Sequence, residues 1–435
     1  MTTYNRRRTA GTVAMATIAG LALSSCAGGT GGEDGDVSLT LMAWANAEEA
    51  KMYEEVLDVF EEKNPGTTVK FEYSDNAGYK DKLNTKFAAG SPPDVMFLVG
   101  QMMGEYTSRD ALLDLEPYSE QIDFDAMDQT LLKANSVDGK LYSIPTGSTS
   151  AGLAINETAL AESGVALPDD STWTWAEFGD WATAVTEASD GDQFGANIEM
   201  SWGPTFSTWV RQQGEDVYTE SGELGVSVGT VEKWFEMNVD FLAEQAFPPA
   251  GTIDTTGAFS PEESPLGTGR ITTTVIPANA LPSYANVLGE DGVGLLRFPG
   301  ETEGERRGMA VTPTLLWASP ANTKHPEETA KLLDFLTNDP DSFEARGTFL
   351  GVPINESVAR EVAETLTPSQ EEFVTFVSDL SAEGLDAQMP EPPGAQPVNE
   401  LLTSITTEVT FGRISPADAA ERFIDEAAVL LEQAG

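Results

Sequence analysis

Three short apolar runs, separated by segments with helical periodicity, constrain this chain more than anything else in it. They are VSLTLMAWA (Val37–Ala45), VKFEY (Val69–Tyr73) and DVMFLVG (Asp94–Gly100). Between the first two, AEEAKMYEEVLDVFEEK places Tyr53, Val56, Leu57 and Phe60 on one face, and Asn64-Pro65-Gly66 ends the helix. Between the second and third, Tyr79, Leu83 and Phe87 repeat at helical spacing as far as Gly90. Strand, helix, strand, helix, strand with buried-looking strands predicts an α/β fold, a parallel sheet with helices on both faces. In such sheets a ligand sits beyond the carboxyl ends of the strands. Here those ends are Trp44-Ala45-Asn46 and Val99-Gly100-Gln101.

Further along, Thr174-Trp175-Ala176-Glu177 is a capping box, opening a helix that carries Phe178, Trp181 and Val185. Trp173, Trp175 and Trp181 therefore read as cap and core. Pro326 starts a helix containing Leu332, Leu333 and Leu336, with His325 just before it. Ser415 caps the last helix, Pro416 starts it, and Ala420, Phe423, Ile424, Ala427, Leu430 and Leu431 form one stripe. MPEPPGAQP, residues 389–397, reads as a rigid extended loop. No internal repeat is visible.

The amino terminus has a different grammar. Arg6-Arg7-Arg8 precedes an uncharged stretch, Thr9 to Ser25, that ends in the small side chains Leu23-Ser24-Ser25 before Cys26, the single cysteine in 435 residues. Basic start, apolar middle and small-residue end describe an export signal over residues 1–25. Leu-Ser-Ser-Cys resembles the bacterial lipobox, which implies that the Cys26 sulfur carries a diacylglyceryl group and becomes the first mature residue. A buried cysteine is the alternative, but Gly28, Gly29, Gly31 and Gly32 follow and do not bury it. Residues 26–36 then form a glycine-rich tether; a coil of this kind reaches on the order of 17 Å.

Without the signal the chain exceeds the size at which one core keeps growing, so two domains are expected. Arg6, Arg7 and Arg8 are the only charges before Cys26, leaving 21 basic against 71 acidic side chains, a net −50. Such a body repels phosphate backbones, which excludes nucleic acid as a partner. Beyond the signal no run approaches about 18 uninterrupted apolar residues, the length a membrane span needs. One histidine and no second cysteine leave no ligand set for zinc and no His-dependent triad. No metal, cofactor or catalytic residue is expected.

FEEKNPGTTVKFEY, KFAAGSPPDVMF, DGKLYSIP, TWTWAEF, ANTKHPEETAKLLDFLTN and GVPINES occur in that order from Phe60 to Ser357. Together they resemble the landmarks of the carbohydrate-type extracellular solute-binding proteins, family 1. The resemblance implies two interleaved α/β lobes joined by a hinge, closing on a sugar or oligosaccharide. It implies a monomer that delivers this carbohydrate ligand to the transmembrane permease subunits of an ABC transporter. Carried onto this chain, lobe 1 is 37–147 with 299–338, and lobe 2 is 148–298 with 339–435. The crossings fall near Ile144-Pro145-Thr146 and Phe298-Pro299. Sugars are held by hydrogen bonds and aromatic platforms, which makes Trp44, Asn46 and Gln101 candidates at the sheet edge and Ser148 one at the crossing. SWGPTFSTW matches a family segment lining the second lobe, adding Trp202 and Phe206. The family often has an aromatic residue after the strand matched by ITTTVIPANAL; here Pro277-Ala278-Asn279-Ala280 departs from that and leaves Asn279 as a polar candidate.

Two other readings stay open at this stage: a secreted lipoprotein glycosidase using a carboxylate pair, and a receptor for a non-sugar cationic solute. The anchor is testable separately. Durable membrane attachment requires two acyl chains at about 0.8 kcal/mol per buried methylene. Cys26→Ser is expected to leave a folded body that no longer fractionates with the cell membrane, or an unprocessed precursor; unchanged partitioning refutes the anchor.

Overall fold

The computed structural model describes residues 36–434 apart from 138, 199, 220, 254–259, 386–387 and 389–390. The signal, Cys26 and all of the tether but Asp36 lie outside the described residues.

The alternating pattern at the start folds as its periodicity requires. Strand β1 (Val37–Trp44) is followed by α1 (Ala47–Lys63), β2 (Thr67–Ser74), α2 (Asn76–Ala88), β3 (Val95–Leu98) and α3 (Gly100–Thr107). β1 lies between β2 and β3, parallel to β2 from Val37↔Thr67 to Trp44↔Ser74 and parallel to β3 at Leu41↔Val95. Every residue of β3 is buried, so its apolar run is covered on both faces. The sheet is not purely parallel, however. Leu316–Ala318 joins β3 antiparallel, and Ser143–Pro145 joins Leu316–Ala318 antiparallel at the edge. Trp317 arrives from more than two hundred residues downstream and packs its ring 4.3 Å from that of Phe97.

A second sheet has the order Val293–Leu296, Ala151–Asn156, Ile271–Pro277, Phe194–Asn197. Ala151–Asn156 is antiparallel to both its neighbours, and Ile271–Pro277 is parallel to Phe194–Asn197. Around it pack the helices Trp175–Ala188, Gly203–Gln212, Val228–Ala243, Ala395–Thr410 and Pro416–Ala434. Trp173, Trp175 and Trp181 are buried here. Trp175 meets Trp209 and Trp234 edge-on at 5.9 and 6.2 Å and donates Nε1–H to Gln212 Oε1 at 2.8 Å. The fold is thus two α/β lobes, each with its own sheet and core. Pro397 lies inside the first turn of Ala395–Thr410 rather than in an extended loop, because a proline there forfeits no intrahelical bond.

The packing places two crossings away from the expected boundaries. Residues 299–309 stay on the second lobe: Gln212 Nε2 donates to Pro299 O, and buried Glu301 Oε1 accepts from Gly308 N and Met309 N. The chain enters the first sheet only at Leu316. Pro340–Arg346 packs on α1 of the first lobe, where Lys63 Nζ reaches Asp339 Oδ1 at 2.7 Å. Passage to the second lobe comes after helix Glu356–Val362, before Pro368–Ala382 packs on Leu281–Leu288 and Val293–Leu296.

Three segments therefore run side by side between the lobes. Ser148–Thr149 pairs with Thr312–Pro313, and Ser148 exchanges backbone hydrogen bonds with Val352, both at 2.8 Å. A Cβ on Gly147 would lie 2.3 Å from Leu350 O, and one on Gly351, whose φ is +100°, would lie 2.2 Å from Thr314 Oγ1. Overpacking of a tight site costs about 1–3 kcal/mol. Gly147→Ala is expected to lower the melting temperature, whereas Gly229→Ala, in a helix where the added Cβ meets nothing within 4 Å, does not lower it. Equal melting of both variants would refute the close approach.

Candidate functional site

A cavity of ≈ 1270 Å³ is lined by residues of both lobes. From the first lobe come the end of β1, the start of α2 and the turn into α3; from the second, the start of helix Gly203–Gln212 and the segment 391–400. A smaller cavity of ≈ 210 Å³ adjoins it at Trp202 and Pro204 and extends to Thr149, Ser150 and Thr312 of the crossing segments. A third, of ≈ 350 Å³, lies wholly within the second lobe between Asn238, Phe247 and Thr410. The first takes its walls from elements of both lobes and lies at the carboxyl end of β1, where a doubly wound sheet takes its ligand.

Trp44 ends β1 and is half-buried, its ring edge-on to Tyr79 at 5.4 Å and tilted against Phe97 at 5.6 Å. Those contacts hold the indole as a fixed platform on the cavity wall. Tyr79 turns its hydroxyl inward, donating to Phe97 O at 2.9 Å, and burial raises its pKa far above the usual tyrosine range. It therefore presents ring and not hydroxyl to the cavity. Trp202 is the cap residue of helix Gly203–Gln212, in extended backbone with φ −78° and ψ 126°. Pro204 follows in the first turn, so the indole stands off the end of the helix and not on its face. Trp44 and Trp202 line the same cavity, one from each lobe.

The other expected residues fall elsewhere. Phe206, one turn after Trp202, is 2 % exposed and packs against Trp234 and Phe423 at 5.8 Å each, because the helix face that it occupies is the core face. Asn46 caps α1: its Oδ1 accepts from Glu49 N and its N–H donates to Glu49 Oε2, a reciprocal box that keeps its side chain off the cavity wall. Ser148 is buried in the crossing against Val352. Asn279 ties the lobes at their junction, its Oδ1 accepting from Thr149 Oγ1 and its Nδ2 donating to Phe349 O, both at 3.2 Å. Asn46, Ser148 and Asn279 do not line the cavity. The side chain of Gln101 lies outside what the structure describes; its neighbours Val99 and Met102 line the cavity.

Several wall residues carried no signal of their own in the sequence. Lys80 and Glu105 face each other at 3.2 Å across the start of α2 and the end of α3. Glu391, Asn399 and Glu400 come from a segment nearly three hundred residues later. The position of Glu105, just beyond Gln101 on the helix after β3, was the only pointer available.

A family description, bacterial extracellular solute-binding protein, matches residues 55–369. The chain belongs to that family. Among solved structures it resembles a family 1 extracellular solute-binding protein from Alicyclobacillus acidocaldarius, at 24 % identity over 92 % of this chain and 99 % of that one, with a TM-score of 0.72. It also resembles a periplasmic oligogalacturonide-binding protein from Yersinia enterocolitica, at 21 % identity, the same coverage of both chains and a TM-score of 0.78. The GacH receptor of Streptomyces glaucescens, solved with and without acarbose, has 17 % identity over 92 % of this chain and 100 % of that one, with a TM-score of 0.76. These likenesses show a shared two-lobe fold. Among the described residues no helix is long and apolar enough to cross a membrane.

The lobes also meet at the cavity itself. Pro393 of the second lobe stands so close to Gly104 of α3 that a Cβ there would be 3.4 Å from Pro393 Cγ. Gly104→Leu puts a side chain into that contact and is expected to hold the lobes apart. Small-angle scattering of the variant should give a larger radius of gyration than wild type; an equal radius would show that the contact does not limit closure.

Proposed function

We propose that this protein captures a sugar or oligosaccharide between its lobes and delivers it unchanged to the transmembrane permease of an ABC importer. In this reading it is a monomer held by lipid at Cys26 on the extracytoplasmic face of the cell membrane. The observation that carries it is the pair Trp44 and Trp202, on opposite lobes and lining one cavity. Pyranose rings have apolar C–H faces that stack on indoles and hydroxyls that bond to side chains and backbone, and this cavity offers both kinds of surface. The acarbose and oligogalacturonide complexes of neighbouring folds support the same class of ligand. Gln101 retains its proposed contact on the position of its backbone between Val99 and Met102. A ligand touching both walls favours the closed arrangement by its differential affinity, and closure follows from that alone.

Losing a buried aromatic anchor typically costs at least about 2 kcal/mol, which at about 1.4 kcal/mol per decade weakens binding more than tenfold. Trp44→Ala and Trp202→Ala are expected to lose at least that in calorimetric titration with a bound sugar. Trp44→Ala should also melt earlier, since its ring packs on Tyr79 and Phe97. Trp175→Ala, in the core, should melt much earlier, by the equivalent of about 3–5 kcal/mol, while its folded fraction binds normally. Wild-type affinity in both cleft variants would displace the proposed pocket. Recovery of cleaved sugar in place of intact ligand would point to a glycosidase instead.

A further inference from the structure

Part of the second-lobe wall of the cavity is one face of a helix. Helix Ala395–Thr410 turns Val398, Leu402 and Ile405 into the core, while Gln396, Asn399, Glu400 and Thr403 line the cavity. That spacing of three, four and seven residues is a single helical stripe, so packing of the apolar face fixes where the polar face points. Most polar groups here are already committed to protein partners. Gln396 Nε2 donates to Glu400 Oε1 at 3.3 Å, and Thr403 Oγ1 donates to Asn399 O at 3.0 Å. On the first-lobe wall, Ser108 Oγ donates to Glu105 O at 3.2 Å. Asn399 differs: it is half-buried in the wall, and its side-chain amide has no hydrogen-bond partner among the described residues. Its position is nonetheless defined. A Cβ on Gly203 would lie 3.1 Å from Asn399 Oδ1 and 3.5 Å from Nδ2, so the amide rests against the residue that follows Trp202. Ser201, just before Trp202, also lines the cavity, and its hydroxyl likewise has no partner among the described residues. The indole of Trp202 is thus flanked by a hydroxyl and by an amide that offers two donors and an acceptor.

We infer that Asn399 is a specificity-determining residue of this cleft, its amide holding two neighbouring hydroxyls of the ring stacked on Trp202. Oδ1 accepts from one hydroxyl and Nδ2 donates to the other. Every hydroxyl can both donate and accept, so an adjacent pair matches an amide, whereas a carboxylate only accepts and an ammonium only donates. Epimeric rings differ in whether one of the two hydroxyls points at the amide. A site built to bond a hydroxyl rejects the ring that leaves its own polar groups unpaired. The inference rests on the sugar-capture reading above and adds which side chain chooses among sugars.

The test is a calorimetric titration of the full-length chain and of Asn399→Ala with gluco-, galacto- and manno-oligosaccharides matched in length. Asn399→Ala is expected to bind the series that wild type prefers about tenfold more weakly, or about 1.4 kcal/mol. It should also lose most of the preference over the epimeric series. Its melting curve should match wild type, because the amide has no protein partner to lose. Asn399→Leu, which keeps the volume but no polar atom, is expected to behave in the same way and decides the question if the alanine variant melts early. Trp202→Ala, by contrast, should weaken all three series alike. If both Asn399 variants keep wild-type affinity and preference while Trp202→Ala loses binding, the assignment is overturned and sugar capture stands. If they weaken every series equally, Asn399 does not discriminate and the inference fails. If none of the three series binds to wild type, the capture reading and this inference fall together.

Discussion

Everything in this molecule depends on three chain segments passing each other between the lobes at backbone contact. Gly147 and Gly351 make that possible, since a Cβ at either position would lie within 2.3 Å of a neighbouring oxygen. With side chains absent, Ser148 pairs with Val352 and Thr312–Pro313 pairs with Ser148–Thr149. Each lobe closes its own core, and backbone hydrogen bonds tie the junction, with Leu350 packed into the core of the first lobe and Val352 into that of the second. Such a junction bends by small changes in φ and ψ without opening either core, the property that a hinge requires.

Buried polar groups reinforce the same junction. Arg346 is buried, its ring-like guanidinium plane 3.8 Å from the centre of Phe343, and its Nη2 donates to Thr146 O at 3.0 Å and Leu336 O at 3.3 Å. Burial pushes its pKa down to about 9, so it remains charged at neutral pH while fixing the backbone of the first crossing. Thr146 Oγ1 donates to Leu350 O, and Asn279 bridges Thr149 and Phe349. Ser148 and Asn279, expected as ligand contacts, are instead hydrogen-bonded within this junction. Both lie near the cleft in sequence terms, but their polar atoms are committed to protein partners.

On the cleft walls, rigidity and wetness are divided between residue types. The indole of Trp44 is locked by Tyr79 and Phe97, and that of Trp202 is aimed by a helix start that Gly203 and Pro204 define. Charged side chains occupy the rim of the same cavity, exposed or half-exposed. Fixed aromatic faces with adaptable polar neighbours lose little conformational entropy on binding, which is the general advantage of preorganisation.

By itself the sequence determined the local layer of this protein. Period-2 and period-3.6 patterns placed β1 to β3 with the two helices between them, the capping box at Thr174 and the final helix, because these depend on residues within one or two turns of each other. Trp44 was legible as a cleft residue for the same reason: it ends a strand whose direction the βαβ pattern dictates. Tertiary structure alone decided the rest. Trp317 completes the first sheet from the far end of the chain, Pro340–Arg346 returns to α1 through Lys63 and Asp339, and residues 391–400 supply a wall of the cavity. Phe206 and Asn46 show the limit most plainly. One lies on a helix face that only packing could assign to the core, and the other spends its polar atoms on a cap, so spacing along the chain said nothing of where either side chain would point.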